Sequence, residues 1–588
     1  MTALTDPARV RAARSMCQLF QDTVAAVPAR VALRSSDGAV SITWRQYGQR
    51  VCDIAAGLAA LGIGHGDTIG IMLTNRPEFH LVDTAAFHLG ATPFSVYNTS
   101  APEQIEYLLD NAACRIFITE QQFLATVRAA SAGSAVERIV VVDGDVDDTM
   151  SLTNLESGGD PDFDLDTAWR AVEPDDVLTL IYTSGTTGPP KGVEMTHGGM
   201  VFAVANAAEQ LAGRPLERLV SYLPDAHAAN RGYAHYAAMM SGATITTVAD
   251  AKQLIAALPE VRPSIFLGVP TLWYKLKAAI ETAVDAETGV KKKLATWAID
   301  QGTRRVRTGR AGWQHALADR LVLRKLRKKI GMDDLALAFT GAAPIADDAL
   351  EFVLALGIPC SQIWGMSEIT IATANPIDDL HVGTVGKALP GVELTLADDG
   401  ELLVRTPGVM RGYRGEPDKT AETVSPNGWV HTGDIATIDD DGWVRIVDRK
   451  KELIINAAGK NMSPSNIEGA VTVASPLIGH VAAIGDRRPY VVALITLDPD
   501  AAAAFADEHG LSCEPAVLAT DPRIVAAVDA AVEQANAKLA RVEQVKKHTI
   551  LPTYWEPGSE VLTPTMKLRR TPIAETYAAE IDALYSAQ

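Results

Sequence analysis

An alternation of helical and strand-like patterns near the start of the chain constrains its fold most strongly. Apolar residues from Val51 to Leu61 recur at helical spacing, and Gly62 is placed to end that helix. A strand pattern TIGIML (68–73), a helical pattern PEFHLVDTAAFHLG and a second strand pattern ATPFSVY follow. Such β-α-β alternation predicts a largely parallel sheet with helices on both faces, and therefore an α/β fold.

The length and a change of pattern predict two domains. At 588 residues the chain is too long for one ordinary domain. The change lies at DRKKELI (448–454), after which Ser463 and Pro464 have the character of an N-cap and a first helical residue. We predict a large N-terminal domain of parallel and mixed sheets with flanking helices over 1–449. A small, mobile α+β domain should occupy 450–588.

Composition excludes several classes of protein. The net charge of −19 argues against a general nucleic-acid binder, and five scattered cysteines form neither a zinc motif nor a disulfide framework. The N-terminus lacks a signal-peptide core, and no run of about 18 apolar residues occurs. We therefore expect a cytoplasmic protein. A basic stretch over 304–329 is typical of a solvated helix face, and it leaves peripheral contact with the inner membrane face open.

The stretch YTSGTTGPPKG (182–192) has the composition of a phosphate-binding loop. Glycines and small hydroxyls allow a backbone to close around a polyanion, and Lys191 supplies a point charge. It is not a P-loop, because Pro190 stands where that pattern needs glycine. Composition alone fits a flexible surface loop equally well. Its place after the strand pattern VLTLIY (177–182) favours phosphate binding, since ligands bind at that edge of open α/β sheets.

Seven motifs in a fixed order carry a resemblance to a known family. They are YTSGTTGPPKGVEMTH (182–197), SYLPDAH (221–227), GAAPI (341–345), QIWGMSE (362–368), GWVHTGD (428–434), DRKKELIINAAGKNMSP (448–464) and LTPTMKLRR (562–570). Their order resembles that of the adenylate-forming enzymes, the superfamily of acyl-CoA synthetases, luciferases and peptide-synthetase adenylation domains. The last two motifs look most like those of long-chain and very-long-chain fatty acyl-CoA synthetases.

The resemblance implies ATP-dependent activation of a fatty acid. The carboxylate is joined to AMP while pyrophosphate leaves, and the thiol of coenzyme A then attacks the acyl-adenylate. Such chemistry needs charge neutralisation and positioning rather than a protein nucleophile. The implied ligands are a fatty acid, ATP, Mg²⁺ and coenzyme A. Two alternatives stay open: transfer to a separate carrier protein, and a catalytically weak nucleotide- or lipid-binding relative.

The resemblance also implies roles for residues that would handle phosphate, metal and substrate. Glu368 matches the acid that holds Mg²⁺, with Thr183 as a second oxygen ligand, and His227 matches the substrate-side histidine. Lys567 matches the lysine that bridges the substrate carboxylate and the α-phosphate; Arg569 or Arg570 would serve in an alternative register. The family's phosphate loop, including the catalytic Thr187 and Lys191, matches Thr183, Ser184, Gly185, Thr186, Thr187, Gly188 and Lys191.

A second set of residues matches the family's nucleotide and thiol sites. Asp434 corresponds to the carboxylate that accepts both ribose hydroxyls, and Arg449 to a second ribose contact. Lys451 falls at the hinge, whose rotation would bring Gly459 beside the pantetheine tunnel. The adenine site corresponds to small residues and to an aromatic motif, namely Gly341, Ala342, Ala343, Trp364, Gly365, Met366 and Ser367. For Trp364 the ordinary alternative is a core tryptophan.

Departures from the family pattern lie on the acyl side. Long-chain members usually have an apolar residue at Asp225 and a glutamate at Asn230. In FLGVPTLWYK (266–275), Thr271 replaces a frequent arginine and Tyr274 a frequent glutamate. We expect these changes to affect the preferred acyl-chain length and the gating of the acyl entry more than the nucleotide chemistry.

Overall fold

The largest sheet has seven strands and confirms the α/β prediction. The computed structural model describes residues 4–183, 189–211, 213–457, 460–563 and 565–586, and for Asn461 the backbone alone. All neighbouring strands of this sheet are parallel except the last two, which run antiparallel and flank residues 184–190. In spatial order the strands are Met150–Ser151, Arg138–Val141, Ile116–Thr119, Thr68–Met72, Thr92–Ser95, Val177–Thr183 and Lys191–Thr196.

The first predicted helix is longer than its apolar spacing indicated. It spans Trp44–Ala60, because Thr43 and Gln46 form a capping box that starts it earlier. Gly62 follows at φ 78°, which is the left-handed conformation expected after a helix end.

Helices flank the sheets of the large N-terminal part. Two π-helical turns, Arg231–Tyr236 and Asp319–Leu323, interrupt longer helical runs. The α-helices are Pro7–Ala12, Met16–Ala26, Trp44–Ala60, Pro77–His88, Pro102–Ala112, Leu124–Ser131, Leu152–Ser157, Leu165–Arg170, His197–Leu211, Ala228–Asn230, Ala237–Ser241, Leu254–Val261, Pro270–Ala286, Gly289–Thr308, Trp313–Ala318, Arg324–Lys329, Asp347–Ala355 and Pro417–Thr423.

Three further sheets complete this part of the molecule. A mixed five-stranded sheet carries the predicted adenine motifs on its strands and their carboxyl ends: Ile265–Gly268, Leu337–Thr340, Cys360–Met366, Thr370–Ala374 and Lys387–Ala388. An antiparallel sheet carries the predicted ribose residues: Glu393–Leu396, Glu401–Arg405, Val430–Ile438 and Val444–Arg449. A smaller mixed sheet consists of Arg218–Ser221, Thr244–Thr247, Val31–Ser35 and Ser41–Thr43.

The C-terminal part has its own apolar core around a three-stranded sheet. The sheet strands are Ile478–Ile484, Val491–Leu497 and Val545–Ile550, and the short pair Ile454–Ile455 and Asn461–Met462 precedes them. The helices are Pro464–Thr472, Pro499–His509, Pro515–Leu518, Pro522–Asn536, Arg570–Thr576 and Ala578–Ser586. This mixture of helices and strands agrees with the predicted α+β character. Among the described helices, none is both long and apolar enough to cross a membrane.

Surface ion pairs join the C-terminal part to the N-terminal part. Lys275 lies 3.1 Å from Asp500 and 3.4 Å from Asp498, and Lys538 lies 2.8 Å from Asp348. In this structure Lys567, in the C-terminal part, lies near the charges of Asp434 and Arg449, the predicted ribose residues.

Candidate active site

A backbone pairing that no motif indicated places Tyr413 beside Lys191. The amide of Glu194 donates to the carbonyl of Gly412 at 3.0 Å, and the amide of Arg414 donates to the carbonyl of Gly192 at 2.8 Å. The Lys191 ammonium consequently lies 4.5 Å from the centroid of the Tyr413 ring. This distance is a cation–π contact, which favours a cation over the ring face.

Glu368 is a second partner of the same tyrosine. The residue is 8% exposed, and its Oε1 accepts a hydrogen bond of 2.7 Å from the Tyr413 hydroxyl. Burial, followed by the nearby Glu368 charge, raises the pKa of Tyr413, so the hydroxyl remains a donor. Sequence reasoning missed Tyr413, although it holds the predicted metal ligand and contacts the predicted phosphate lysine.

Asp434 is buried between two donors. Its Oδ2 accepts a bond of 2.9 Å from the indole N–H of Trp364, and its Oδ1 lies 2.8 Å from Nε of Arg449. Burial raises the pKa of Asp434, while the charge of Arg449 and the bond from Trp364 oppose that shift. Asp434 and Arg449 are direct partners across two antiparallel strands, so the sheet register itself brings them together.

The small residues of the predicted adenine site occupy positions that restrict side-chain size. Ala342 has a φ of 67°, and both Ala342 and Ala343 are exposed. A Cβ at Gly341 would lie 2.9 Å from Cγ1 of Ile363. At Gly365, which is exposed, a Cβ would lie 2.0 Å from the carbonyl oxygen of Thr370, so only glycine fits.

Met366 and Ser367 form the turn between this strand and Glu368. Met366 is the last residue of the strand Cys360–Met366, and its carbonyl accepts from the amide of Ile369 at 3.1 Å. Both residues are partly exposed. Both lie next to Glu368, as in the motif. Among the described residues, neither side chain makes a hydrogen bond that would indicate which ligand it binds.

The Lys567 ammonium lies within electrostatic range of the charges of Arg449, Asp434, Glu452 and Glu368. Lys567 remains accessible to solvent, yet burial of its ammonium, followed by the charge of Arg449, lowers its pKa. Its ammonium makes no ion pair or hydrogen bond with any residue in the described ranges. A cation so placed is free to contact an anionic ligand.

His227, in the N-terminal part, lies within electrostatic range of Lys567. Burial and the charge of Lys567 lower its pKa to about 4, so the imidazole is neutral at pH 7. Nδ1 accepts a bond of 3.0 Å from the amide of Ala229, which leaves the proton on Nε2. The imidazole can therefore donate one hydrogen bond from Nε2.

The alternative register for the adenylation cation is disfavoured by the contacts of Arg570. Its guanidinium donates to both oxygens of Glu468, at 2.6 and 3.0 Å, and to Glu452 at 3.2 Å. A guanidinium held by two carboxylates is not available to a ligand. Arg569 contributes the N-cap position of the helix Arg570–Thr576.

The predicted hinge residue lies in a turn, and residues on both sides of it are held by ion pairs or hydrogen bonds. Lys451 is exposed, whereas Lys450 binds Asp399 at 2.5 Å and Glu401 at 3.0 Å. Asp448 accepts a bond of 2.6 Å from the hydroxyl of Ser463, which begins the first helix beyond the hinge.

Some predicted residues lie outside the described part of the chain. They are Ser184, Gly185, Thr186, Thr187 and Gly188 in the phosphate loop, and Gly459 in the predicted thiol site. Thr183 is described, as the last residue of the strand Val177–Thr183. Within the described ranges, no three His, Cys, Asp or Glu side chains cluster in a way that could hold a metal.

Comparison with known proteins supports the interpretation of the motifs. The family model described as AMP-binding enzyme matches residues 20–414, and that of the AMP-binding enzyme C-terminal domain matches 451–588. The putative fatty-acid–CoA ligase fadD11 of Mycobacterium tuberculosis (strain ATCC 25618 / H37Rv) is 50% identical over 75% of this chain and 79% of its own. The long-chain-fatty-acid–CoA ligase FadD15 of Mycobacterium bovis (strain ATCC BAA-935 / AF2122/97) is 35% identical, covering 93% and 92%.

Solved structures agree with the fold. The adenylation domain of a carboxylate reductase from Mycobacterium chelonae has a TM-score of 0.77 at 18% identity, covering 100% of this chain and 93% of its own. The anthranilate CoA ligase AuaEII, in complex with anthranoyl-AMP, has a TM-score of 0.73 at 18% identity, covering 96% and 98%. Since the two family models together cover most of the chain and the 50% identical relative matches 75% of it, this protein belongs to the AMP-binding enzymes, the adenylate-forming superfamily.

Proposed function

We propose that this protein is an ATP- and Mg²⁺-dependent fatty acid–CoA ligase. Relatives named fatty-acid–CoA ligases support the reaction class. The observation that carries the proposal is the ammonium of Lys567, which has no partner among the described residues and lies near the charges of Asp434, Arg449 and Glu368. A cation in that position can lower the repulsion between a fatty carboxylate and the α-phosphate of ATP.

In the first half-reaction a carboxylate oxygen attacks the α-phosphorus, and the bond to pyrophosphate breaks. Lys567 screens the two anions, while Asp434 and Arg449 hold the ribose. Lys191 and the loop 183–188 bind the pyrophosphate as it leaves. No protein group needs to form a covalent bond, so positioning and electrostatics supply the catalysis.

The donor set of Glu368 fits Mg²⁺. Oε1 accepts from Tyr413, and Oε2 has no hydrogen-bond partner among the described residues, so a carboxylate oxygen remains for a hard cation. When bound there, Mg²⁺ would neutralise charge on the phosphates. Tyr413 orients the carboxylate for that purpose, in the manner of an outer-shell partner.

The second half-reaction needs a different arrangement of the two parts of the chain. The thiol of coenzyme A attacks the acyl carbonyl, and AMP leaves. We place the boundary between domains at 449/450, because Lys451 is exposed while its neighbours are held by ion pairs. Rotation at Lys451 would withdraw Lys567 and bring Gly459 toward the thiol path.

Lys451→Pro tests this hinge. The backbone N–H of Lys451 donates no hydrogen bond to another described residue, so proline removes none there. Because proline fixes φ near −65°, rotation at this residue becomes restricted. We expect adenylation to survive and thioester formation to fall about 10-fold or more, which corresponds to at least about 1.4 kcal/mol. Pyrophosphate release without CoA and thioester formation from supplied acyl-AMP are measured separately.

Lys451→Ala is the matched control, since it removes the side chain and leaves φ free. It should retain both half-reactions. Unchanged thioester formation in a folded Lys451→Pro protein would place the hinge elsewhere.

Product analysis tests the proposed reaction as a whole. The protein is incubated with ATP, MgCl₂, CoA and fatty acids of short to very long chain, and products are identified by mass spectrometry. Acyl-CoA, AMP and pyrophosphate are expected in equal amounts. Acyl-AMP that accumulates despite CoA would instead indicate transfer to a carrier protein, and no product with any acid would indicate a binding relative.

A cytoplasmic location is part of the proposal. All five cysteines are free, and Cys17, Cys114 and Cys360 are buried, which suits a reducing compartment. Contact with an anionic membrane surface would involve the basic helices within 304–329.

A further inference from the structure

Two residues that depart from the family pattern are partners in the structure. Asp225 is 6% exposed and Asn230 is fully buried. The side-chain amide of Asn230 donates a hydrogen bond of 2.6 Å to Oδ1 of Asp225. Its second N–H donates to the hydroxyl of Ser221 at 2.9 Å. A hydrogen bond therefore links the two departures from the family pattern, Asp225 and Asn230.

Each partner retains one buried oxygen without a hydrogen bond to the described residues. These are Oδ2 of Asp225 and Oδ1 of Asn230. Both act as acceptors when the acid is ionised, and buried polar atoms are rarely left unpaired because the loss costs free energy. A proton on Oδ2 would convert that atom into a donor, and one O–H bond to Oδ1 would satisfy both oxygens.

The pair closes the base of a short loop that carries His227. The guanidinium Nε of Arg231 donates to the backbone carbonyl of Asp225 at 2.9 Å, beside the Asp225–Asn230 bond. His227 lies between these anchors, and its amide donates to the carbonyl of Pro224 at 2.9 Å. The orientation of the imidazole toward Lys567 thus depends on how the loop base is held.

The charged groups around Asp225 do not stabilise its ionised form enough to keep its pKa low. Arg231 is fully buried, and its terminal nitrogens bind Asp83 and the hydroxyl of Ser95. Asp83 also lies 3.0 Å from Nε2 of His235. Burial raises the pKa of Asp225 to about 8; Arg231 opposes this shift and Asp83 adds to it.

Two further groups of this network face Arg231 and complete the set of titratable neighbours. Tyr236 accepts from the guanidinium at 3.3 Å, and His80 lies 2.9 Å from His235 through their Nδ1 atoms. Burial lowers the pKa of both His80 and His235, so neither imidazole supplies a cation near Asp225 at neutral pH.

We propose that Asp225 is a neutral carboxylic acid that donates from Oδ2 to Oδ1 of Asn230, and that this pair positions His227 for the acyl substrate. The inference rests on the proposed function. Asp225 is accordingly a positioning residue, since it acts through His227 and the loop.

The proposal gives the activity a defined pH dependence. Loss of the Asp225 proton at high pH breaks the pair, so kcat/KM for the fatty acid should fall as pH rises through about 8 and level off about tenfold below its value at pH 7. The pKa is raised on folding, so the stability contribution is complete below pH about 4, falls as pH rises, and is gone above about 8.

Asp225→Asn is the decisive variant. Its amide supplies an N–H to Asn230 at every pH, so it should keep most of the activity at pH 7 and shift the alkaline decline upward. Asp225→Leu, which has the apolar side chain usual in the family, leaves one N–H and the Oδ1 of Asn230 without a partner, while the bond to Ser221 remains. It should lower kcat/KM for the fatty acid about tenfold and leave the KM for ATP unchanged.

The experiment measures acyl-AMP formation from pH 6 to 10 for the three proteins, together with infrared spectra. The wild type should show the C=O stretch of a protonated carboxylic acid at pH 7, and Asp225→Asn should lack it. The same alkaline decline in both proteins, or no difference in that band, would overturn the proposal. The spectra need no activity, so a failed ligase assay in the wild type would contradict the proposed function alone.

Discussion

Lys567→Ala is expected to lower acyl-AMP formation about 10²–10³-fold, the usual effect of removing a group that stabilises developing charge. Thioester formation from supplied acyl-AMP and CoA should remain near the wild-type rate. The reason is that the Lys567 ammonium lies near the charges of Asp434 and Glu368, where the α-phosphate is proposed to bind, whereas thiol attack needs no screening of that phosphate. Pyrophosphate release reports the first half-reaction, and the acyl-CoA yield from synthetic acyl-AMP reports the second.

Lys546→Ala is the matched control for this variant. Lys546 lies in the same C-terminal part, is exposed, and donates only to the side chain of Gln544 among described residues, at 2.8 Å. Both half-reactions should survive its loss. If Lys567→Ala weakened both half-reactions equally, Lys567 would have a structural role, and the adenylation cation would have to be sought elsewhere.

Glu368→Gln is expected to lower pyrophosphate release by about 100-fold or more, with a higher Mg²⁺ requirement. The change keeps the shape of the side chain and removes its charge, which a hard cation needs. Tyr413→Phe should cost about 10–100-fold, because it removes only the hydroxyl that orients the carboxylate. Initial rates over a Mg²⁺ series measure both effects.

The exposed Glu393, which pairs with Arg405 on the neighbouring strand of its own sheet, provides the control as Glu393→Gln. It should leave rate, Mg²⁺ requirement and thermal midpoint unchanged. A large fall in the midpoint of Glu368→Gln, with a Mg²⁺ requirement equal to that of the wild type, would return Glu368 to a structural role.

Local signals predicted the α/β fold, and the order of motifs predicted the family. Asp434 and Arg449 illustrate why this worked, since each stands in a motif and the sheet register then pairs them. Tyr413 illustrates the limit. It belongs to none of the motifs and reaches Lys191 through a pairing with Val193, more than two hundred residues away. Such non-local pairing leaves no pattern in a single sequence.

The acyl-side departures show a related limit. In the sequence Asp225 and Asn230 are two separate departures, because their mutual hydrogen bond depends on the turn of the chain between them. The motif predicts that Trp364 lies against adenine. The structure adds a bond from its indole N–H to Asp434, which a sequence position alone does not indicate.

The two donors on Asp434 have a consequence for turnover. Each oxygen has one partner and can accept a further hydrogen bond, so a ribose diol bound as proposed would join the indole of Trp364 and the guanidinium of Arg449 rather than displace them. The carboxylate is already oriented by these two groups, so nucleotide binding would not have to order it. The same two partners would hold the carboxylate in place when AMP departs. The acceptor would thereby stay assembled from one turnover to the next.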